Sequence, residues 1–413
     1  MPLTFWHSLN SQPGQPGAIL YEIVAEYNRD HSPQVQVESI TPQNYAAAAK
    51  EALESPVETR PNFILAPEFM TGAMRQALSN GVVLSAKTLL DESRLADIAE
   101  IVSKTFGLDC LPFNPACGVL YMNKTLLAQC GFSPDWKPQS LEDLVMAAKI
   151  VKEKSNTAFG YTCAWPEAYL VEIALAQQNI PLLHPNGDYN FSCLTEHLIN
   201  LRELVKDSVL LLPPPVGNYD KTKDPFIQQL VPFYMQGSGH AVNIEKEAKA
   251  AKDIGFEVGY APLPTLLHDR KVKYAHPLGG AAVWVLNTNT HDETMTPETM
   301  AQGVRSFLNY LASKETQAKW HMATAYVPVS KSIRESLGEF YQDHPLHEAV
   351  IAQTIDAPLG ENSFGIKKAN YHLVRPKLYP LIHELLLLQG TPDEVRAIIA
   401  KRLEQFDQEC NSL

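Results

Sequence analysis

Alternating strand-type and helix-type hydrophobic patterns open the chain. After the first loop, Leu20, Ile23 and Tyr27 recur at the spacing of an amphipathic helix. Together the patterns predict five elements: a strand at 3–6, a helix that contains 20–27, a strand at 35–39, an Ala-rich helix that begins at Tyr45, and a buried strand at 62–66. This β-α-β-α-β order predicts an α/β fold with a mainly parallel sheet.

The segments that directly follow these strands are the first candidates for function. Ligands of open α/β sheets gather beyond the carboxyl ends of the strands. Three segments reach that edge in the predicted fold: Trp6-His7-Ser8, Asn44-Tyr45 and Pro67-Glu68. We therefore expect these loops to contribute ligand contacts.

Proline-containing stretches indicate where the chain passes between two lobes. The stretch 111–115 has two prolines within a strand-like run and is the predicted first crossing. A return crossing is expected near 258–262, before a strand at 281–286 goes back into the first lobe. The predicted lobes are 1–112 plus 258–308 at the N-terminal side, and 113–257 plus 309–413 at the C-terminal side. Such interleaved crossings would let the lobes hinge.

Composition agrees with a two-lobed protein and excludes several function classes. The chain has 413 residues, 45% hydrophobic and 19% charged, which suits a globular protein with two lobes of roughly 200 residues. It contains no run of about 18 apolar residues that would span a bilayer. The net charge of −12 argues against nucleic-acid or anionic-membrane binding, which need a basic face. An anionic ligand can still be held by local donors.

Cysteine spacing and the first residues give two further expectations. The six cysteines form no Cys-x-x-Cys pair and no zinc-type spacing with histidine, so we predict no metal site and no obligatory disulfide. The first residues lack the basic segment and apolar core of a secretion signal. The protein is therefore either cytoplasmic or given without its signal.

Four segments in a fixed order carry the strongest indication of function. They are Phe5-Trp6-His7-Ser8, then 118–124 (GVLYMNK), 279–286 (GGAAVWVL) and 320–330 (WHMATAYVPVS). In this order they resemble the extracellular solute-binding proteins of ABC importers. Within that group the resemblance is greatest to the periplasmic proteins that bind sn-glycerol-3-phosphate and glycerophosphodiesters. The match runs from Phe5 to the final helix, nearly the whole chain.

The resemblance implies both a fold and a function. The fold would be the two-lobed periplasmic-binding-protein type (type II), with a hinge and a ligand cleft between the lobes. The protein would capture glycerol-3-phosphate or a glycerophosphodiester such as glycerophosphocholine, and deliver it to the permease subunits of an ABC transporter. We expect a periplasmic monomer that is not an enzyme, uses no cofactor and binds no nucleic acid.

The resemblance also assigns ligand contacts, each of which has a plainer structural interpretation. Glu68 would accept hydrogen bonds from ligand hydroxyls, although it is also placed to stabilise a helix start. Gly279 and Gly280 would let the backbone approach a phosphate, or simply form a tight entry into a strand. The aromatic contacts are Tyr45, Trp165 and Tyr326, and Cys117 and Asn370 are assigned to the same site.

The sequence departs from the family pattern at two places. Where the family has a phosphate-binding Arg, this chain has Ile366-Lys367-Lys368-Ala369-Asn370, so Lys367 is the predicted phosphate contact and Arg375 the fallback. The family's Ser/Gly-rich turn is matched with 243–246, which brings the carboxylate of Glu245 instead. A phosphodiester with a single charge would tolerate that carboxylate better than a phosphate dianion.

A choline-type head group is one ligand that fits these departures. Ala168 stands where the family often has a second bulky aromatic near Trp165, which would leave room for the head group. Trp165 and Tyr326 would then face a quaternary ammonium, and Glu245 would attract it.

Two other functions stay open at this point. The same fold also binds oligosaccharides, whose faces stack on aromatic side chains, and the chain has five tryptophans. A hydrolase would need an acid and a base such as His7, His276 or His321 with Glu68. The chain has no phosphate-binding Gly-x-x-x-x-Gly-Lys-Ser/Thr loop, His-Glu-x-x-His or Gly-x-Ser-x-Gly motif, which favours binding over catalysis.

Overall fold

The computed structural model describes residues 2–40, 45–215, 219–251, 255–269, 273–289 and 295–413. The chain divides into two compact units. Unit 1 comprises Met1–Cys117, Leu278–Ile351 and Lys367–His372, and unit 2 comprises Gly118–Pro277, Ala352–Ile366 and Leu373–Leu413.

Unit 1 is built on a six-stranded sheet. Its strands are β1 (Leu3–His7), β2 (Val35–Ser39), β3 (Phe63–Pro67), β4 (Val83–Leu84), β5 (Leu111–Ala116) and β10 (Gly279–Leu286). The order is β2-β1-β3-β10-β4, and β5 also pairs with β10. β1 is parallel to β2 and β3, as the sequence pattern predicts, and β10 is antiparallel to β3, β4 and β5.

Helices of unit 1 pack on this sheet through a continuous apolar core. They are α1 (Pro16–Asp30), α2 (Tyr45–Glu54), α3 (Thr71–Ser79), α4 (Glu92–Asp97), α5 (Glu100–Phe106), α12 (Pro297–Leu311), α13 (Lys314–Thr324), α14 (Lys331–Ser336), α15 (Gly338–Gln342) and α16 (Pro345–Ala352). Phe307 of α12 lies edge-on to Phe5 and Phe63, with ring centroids 6.0 and 5.1 Å apart. Thr296 caps α12 by accepting a hydrogen bond from the Thr299 N–H.

Unit 2 has a four-stranded sheet of order β7-β8-β6-β9. Its strands are β6 (Gly118–Asn123), β7 (Tyr161–Cys163), β8 (Phe233–Gly237) and β9 (Val258–Pro262). β6 is antiparallel to β8 and β9, and β7 is parallel to β8. Every residue of β6 is buried, which explains its unbroken apolar run.

Helices cover the sheet of unit 2. They are α6 (Lys124–Gln129), α7 (Leu141–Lys154), α8 (Ala174–Ala176), α9 (Thr195–Lys206), α10 (Asp224–Ile227), α11 (Ala241–Lys249), α17 (Tyr371–Leu386) and α18 (Pro392–Ser412), with a π-helix at Ala168–Ile173. Ser140 and Thr391 form capping boxes that begin α7 and α18. The buried face of α18 follows helical spacing: Val395, Ile399, Leu403, Phe406 and Cys410.

The unit boundaries differ from the predicted lobe boundaries. The stretch 111–115 belongs to strand β5 of unit 1, and the chain enters unit 2 at Gly118. β9 pairs with β6 inside unit 2, so the chain returns to unit 1 only at Leu278. Helices α13 to α16 lie in unit 1 because residues such as Trp320 join its core.

Within the described residues, no helix combines the length and the apolar character that crossing a bilayer requires.

Candidate ligand-binding site

In unit 1, one edge of the sheet collects the ends of three strands and the start of a fourth. Ala281 of β10 pairs with Pro67 at the end of β3 and with Asn114 near the end of β5. β1 runs parallel to β3 and ends at His7. We call this set of strand ends, with the adjoining residues Ser8 and Thr71, the polar edge of unit 1. It is the edge at which α/β proteins hold ligands.

His7 has one fixed proton position at the polar edge. Its Nδ1 accepts a hydrogen bond from the backbone N–H of Leu9 at 3.1 Å, so the neutral ring carries its proton on Nε2. Burial lowers the pKa of His7 to about 4. At neutral pH the Nε2–H group is therefore a buried donor, and no acceptor for it exists among the described residues.

Three further buried polar atoms at this edge have no hydrogen-bond partner in the described part of the chain. They are Ser8 Oγ, Thr71 Oγ1 and Asn114 Oδ1, on side chains that are at most 3% exposed. A buried polar group without a partner costs about 1–3 kcal/mol of stability. Together with His7 Nε2 they make four such groups at one edge. This indicates a binding place for a polar molecule that would supply the missing hydrogen bonds.

The two glycines that begin β10 have different reasons to be glycine. Gly280 has φ +86°, and a Cβ there would lie 2.7 Å from the Ala116 N atom, so the backbone itself requires glycine. A Cβ at Gly279 would come no nearer than 3.9 Å to any atom, the Ala116 carbonyl oxygen. Packing therefore explains Gly280 and leaves Gly279 open to a ligand-related role.

Tyr326 joins the polar edge through the turn after α13. Its ring stacks on Trp320 with centroids 5.7 Å apart and an interplanar angle of 2°. The next residue, Val327, donates its N–H to the Pro115 carbonyl at 2.8 Å. Burial raises the pKa of Tyr326, and a hydrogen bond from Asn114 opposes the shift. The structure therefore brings Tyr326 and Asn114 together.

Glu68 and Tyr45 also follow strands of this sheet. Glu68 is half-buried and begins the short 3₁₀ turn Glu68–Met70, directly after β3. Tyr45 is the first residue of α2, but its side chain and the preceding Asn44 lie outside the described residues.

The predicted phosphate contact Lys367 lies in a segment that packs on the first turn of α3. A Cβ at Gly72 would be 2.8 Å from the Lys367 carbonyl oxygen. Burial raises the pKa of Cys110, and the positive charges of Arg75 and Lys367 act in the opposite direction. Cys110 precedes β5, at the end of the strand away from Asn114. Asn370 follows in the same segment, which lies against the helix turn that begins with Thr71.

Unit 2 has a comparable edge, where β7 and β8 end and β6 begins. Gly118 pairs with Gly237, and Cys163 pairs with Met235. Cys117 is buried immediately before β6, and Trp165 is half-buried two residues after β7. Two buried atoms at this edge, Ser238 Oγ and Glu167 Oε2, have no partner in the ranges described above.

The Ser/Gly-rich turn of unit 2 lies at 237–239 and not at 243–246. Gly237-Ser238-Gly239 ends β8 and leads into α11. Glu245 lies within α11, where it accepts a hydrogen bond from the Tyr260 hydroxyl. Burial raises the pKa of Tyr260, which keeps that hydroxyl protonated. Glu245 therefore has a hydrogen-bond partner inside unit 2.

Arg375, the fallback for the phosphate, is engaged by two carboxylates. Its Nε donates to Glu172 Oε1 at 2.8 Å, and its Nη1 lies 3.5 Å from Glu167 Oε1. Arg375 is only 8% exposed. Its charge is therefore already balanced by protein groups.

Sequence reasoning missed several of these groups. Asn114, Ser238 and Thr71 stand at or just after strand ends, a signal that was available in the sequence. Glu167 follows Trp165 by two residues but gives no sequence signal, because its exposed or buried state depends on the tertiary packing around Arg375.

The described ranges contain no group of three or more His, Cys, Asp or Glu residues arranged to hold a metal ion.

Comparison with known proteins decides the family. The model of the bacterial extracellular solute-binding proteins matches residues 22–349. The chain belongs to this family. This extracellular solute-binding protein is therefore a binding component of an ABC importer, in a family of non-enzymatic transport proteins found outside the inner membrane.

Several relatives and solved structures are similar to this solute-binding protein. The sn-glycerol-3-phosphate-binding periplasmic protein UgpB of Shigella dysenteriae serotype 1 is 25% identical, over 99% of this chain and 94% of the relative. UgpB of Escherichia coli strain K12 is 26% identical, over 75% of this chain and 70% of the relative.

The solved structures establish the fold. UgpB from Mycobacterium tuberculosis in complex with glycerophosphocholine matches with a TM-score of 0.71 at 18% identity, covering 99% of both chains. The acarbose-binding GacH receptor of Streptomyces glaucescens matches with a TM-score of 0.75 at 16% identity, covering 99% of this chain and 98% of the receptor. The predicted periplasmic-binding-protein fold is confirmed.

Proposed function

We propose that this solute-binding protein captures a glycerophosphoryl compound, either glycerol-3-phosphate or a glycerophosphodiester, and delivers it to the permease. The observation that carries the proposal is the set of four unpartnered buried polar atoms at the polar edge of unit 1. The UgpB relatives, which bind sn-glycerol-3-phosphate, support it.

The chemistry of the polar edge suits the glycerol part of such a ligand. His7 Nε2–H is a donor and Asn114 Oδ1 is an acceptor, whereas the hydroxyls of Ser8 and Thr71 can act as either. A glycerol hydroxyl both donates and accepts, so it would satisfy groups of both kinds. Glu68, at the end of β3, would add a carboxylate acceptor.

The turn 237–239 suits the phosphate group. It is followed by the nine-residue helix α11, whose N-terminal end favours negative charge. Ser238 is fully buried and its hydroxyl has no partner among the described residues, so it would donate to a phosphate oxygen. This arrangement needs no free Arg, which agrees with the engagement of Arg375 by Glu167 and Glu172.

An oligosaccharide is the second candidate ligand. Sugar hydroxyls would also satisfy the polar edge of unit 1, and Trp165 is a half-buried aromatic ring that would stack on a sugar face. A sugar, unlike a phosphoester, would gain little from the helix end at Ser238. The contribution of Ser238 in unit 2 to the binding affinity therefore distinguishes a phosphoester from a sugar.

Isothermal titration calorimetry against glycerol-3-phosphate, glycerophosphocholine and maltose tests the proposal. We expect saturable binding of at least one phosphoester. Ser238→Ala should weaken that binding about tenfold or more, because a hydrogen bond to a charged group is lost. Ser79→Ala, which changes an exposed serine of α3, should have no effect. Binding of maltose alone would overturn the phosphoester assignment.

A further inference from the structure

The turn that carries Tyr326 contains an uncommon backbone conformation. Ala325, which ends helix α13, has φ +57° and ψ +21°. Left-handed residues at helix ends are usually glycine, because a Cβ makes this conformation costly. Such a conformation persists only where surrounding contacts hold it, and residues of this kind cluster at functional sites. The contacts around Ala325 therefore show which part of the turn the fold keeps in place.

Two side chains of α13 hold the backbone of the next residue, Tyr326. The Nδ1 atom of His321 is hydrogen-bonded to the Tyr326 carbonyl oxygen. The hydroxyl of Thr324 accepts a hydrogen bond from the Tyr326 N–H at 3.3 Å and donates one to the Trp320 carbonyl oxygen at 2.6 Å. Both polar backbone groups of Tyr326 are therefore bound by side chains of the helix that precedes it.

His321 can hold that carbonyl in only one of its neutral tautomers. A carbonyl oxygen only accepts, so Nδ1 carries the proton and Nε2 of the neutral ring is an acceptor. The Tyr341 hydroxyl lies 3.2 Å from Nε2 and donates to it. Burial lowers the pKa of His321 to about 3, so the ring is neutral at pH 7. Tyr341 therefore favours the tautomer in which His321 donates to Tyr326.

The held backbone determines where the phenol of Tyr326 lies. The residue is 8% exposed, and its ring stacks on Trp320. A hydrogen bond joins its hydroxyl to Asn114, whose Oδ1 has no partner among the described residues. A change in the Tyr326 turn would therefore move the phenol relative to Asn114 and to the polar edge of unit 1.

We propose that His321 and Thr324 are positioning residues, which set ligand affinity by fixing the Tyr326 phenol at the polar edge before the ligand arrives. This inference rests on the proposed function, in which the polar edge binds the glycerol part of the ligand. Each residue acts through the Tyr326 backbone and not through a contact with the ligand. Because the phenol is already in place, binding does not have to order it, and the affinity is correspondingly higher.

Two substitutions of Thr324 separate its hydroxyl from its shape. Thr324→Val removes the hydroxyl and keeps the size of the side chain, whereas Thr324→Ser keeps the hydroxyl. Calorimetry with glycerol-3-phosphate and glycerophosphocholine, well below both melting temperatures, measures the affinities. We expect Thr324→Val to weaken phosphoester binding about five- to tenfold and Thr324→Ser to stay within about twofold of the native protein. Native affinity in both folded variants would overturn the role of Thr324.

Two amides at residue 321 test the imidazole in the same way. The side-chain NH₂ of Asn lies near the position of Nδ1, whereas that of Gln lies near Nε2. Both variants lose the ring and should have lower melting temperatures. We expect the affinity to fall about tenfold in His321→Gln and less than about threefold in His321→Asn, because only Asn can restore the bond to Tyr326. Equal affinities of the two folded variants would contradict the role of His321.

Thr316→Val is the matched control in the same helix. Thr316 is 5% exposed in the first turn of α13, and its hydroxyl accepts a hydrogen bond from Ser313 at 2.9 Å. The control should lower the melting temperature and leave the affinity unaltered. A loss of affinity as large as that of Thr324→Val would mean that affinity merely follows stability, and would overturn the inference.

The last measurement tests whether Thr324 acts through the phenol. Thr324→Val should weaken binding less than about twofold when Tyr326→Phe is already present, because the two substitutions remove the same contribution. Fully additive losses would overturn the inference and leave the proposed function standing. No binding of any phosphoester by the native protein would overturn both.

Discussion

The backbone of Lys368 occupies the space that a side chain at residue 72 would need. A Cβ built on Gly72 would lie 2.6 Å from the Lys368 carbonyl carbon. This close approach holds the segment Lys367–His372 against the first turn of α3, in unit 1. The neighbouring atoms are backbone, so they cannot move aside as the end of a flexible side chain would.

Gly72→Ala should therefore destabilise the protein. We expect the free energy of unfolding to fall by about 1–3 kcal/mol, the usual cost of overpacking, although Ala favours helices more than Gly does. Urea denaturation followed by circular dichroism measures it. Gly338→Ala is the matched control, because nothing lies within 4 Å of a Cβ at Gly338. Equal midpoints for the two variants would show that the segment is not held in this way.

Thr71→Val should separate ligand binding from stability. Thr71 Oγ1 is buried without a partner among the described residues, so replacing the hydroxyl with a methyl group of similar size removes an unsatisfied group. We expect the unliganded protein to keep or gain stability, by up to about 1 kcal/mol, and phosphoester affinity to fall several-fold. Thermal denaturation and calorimetry measure the two effects.

Thr105→Val is the control for that variant. Thr105 Oγ1 is also buried and unpartnered in the described chain, but it lies in α5, the helix that precedes the start of β5. It should change stability in the same direction and leave affinity unaltered. A loss of affinity in both variants, or in neither, would remove Thr71 from the proposed site.

Acid should destabilise the protein because several histidines are buried in the neutral form. Burial lowers the pKa to about 4 for His7, His197, His276 and His347, and to about 3 for His321. Between pH 6.5 and 4 these groups bind protons in the unfolded chain and not in the folded one, so the free energy of unfolding falls as the pH falls. Each contributes up to about 1.4 kcal/mol per pH unit in that window.

Urea denaturation at pH 7.0, 5.5 and 4.5 measures this dependence. The midpoint should fall steadily across the series. A midpoint that is constant from pH 7.0 to 4.5 would mean that these histidines are exposed or already charged.

Much of the fold was predictable because it is encoded locally. The strand at Leu3–His7 and the helix face with Leu20 and Tyr27 appear where the hydrophobic pattern predicts them. The crossing predicted at 111–115 is instead strand β5 of unit 1, so its strand-like run was recognised but its place in the fold was not. Among the described strands β5 pairs with β10 alone, and the pairing has a bulge at Phe113, between Pro112 and Asn114, so the prolines are tolerated.

The candidate site was predictable in part. Three of the predicted contacts follow a strand or lie in a recognisable segment. The structure places them at the carboxyl edge of the sheet of unit 1: Glu68, Gly279 and Tyr326. The hydrogen bond that Glu245 accepts from the hydroxyl of Tyr260 could not be predicted, because Tyr260 comes from another element. The unpartnered atoms of Ser238 and Glu167 depend on which groups surround them after folding, which spacing along the chain does not reveal.

The two glycines that begin β10 provide a final prediction, since the same substitution should destabilise the protein at one of them and not at the other. Gly280→Ala should cost at least about 2 kcal/mol in the free energy of unfolding, because the residue has a positive φ and the new Cβ would meet the Ala116 backbone. Gly279→Ala should stay within about 0.5 kcal/mol, because its Cβ reaches only ordinary contact distance.

Binding then decides whether Gly279 faces the ligand. If it does, the added methyl group should lower phosphoester affinity about tenfold while the melting temperature is kept, since a close backbone approach is lost. Calorimetry and thermal denaturation of the same sample measure both quantities. Unchanged affinity in a stable Gly279→Ala protein would instead make both glycines features of the strand.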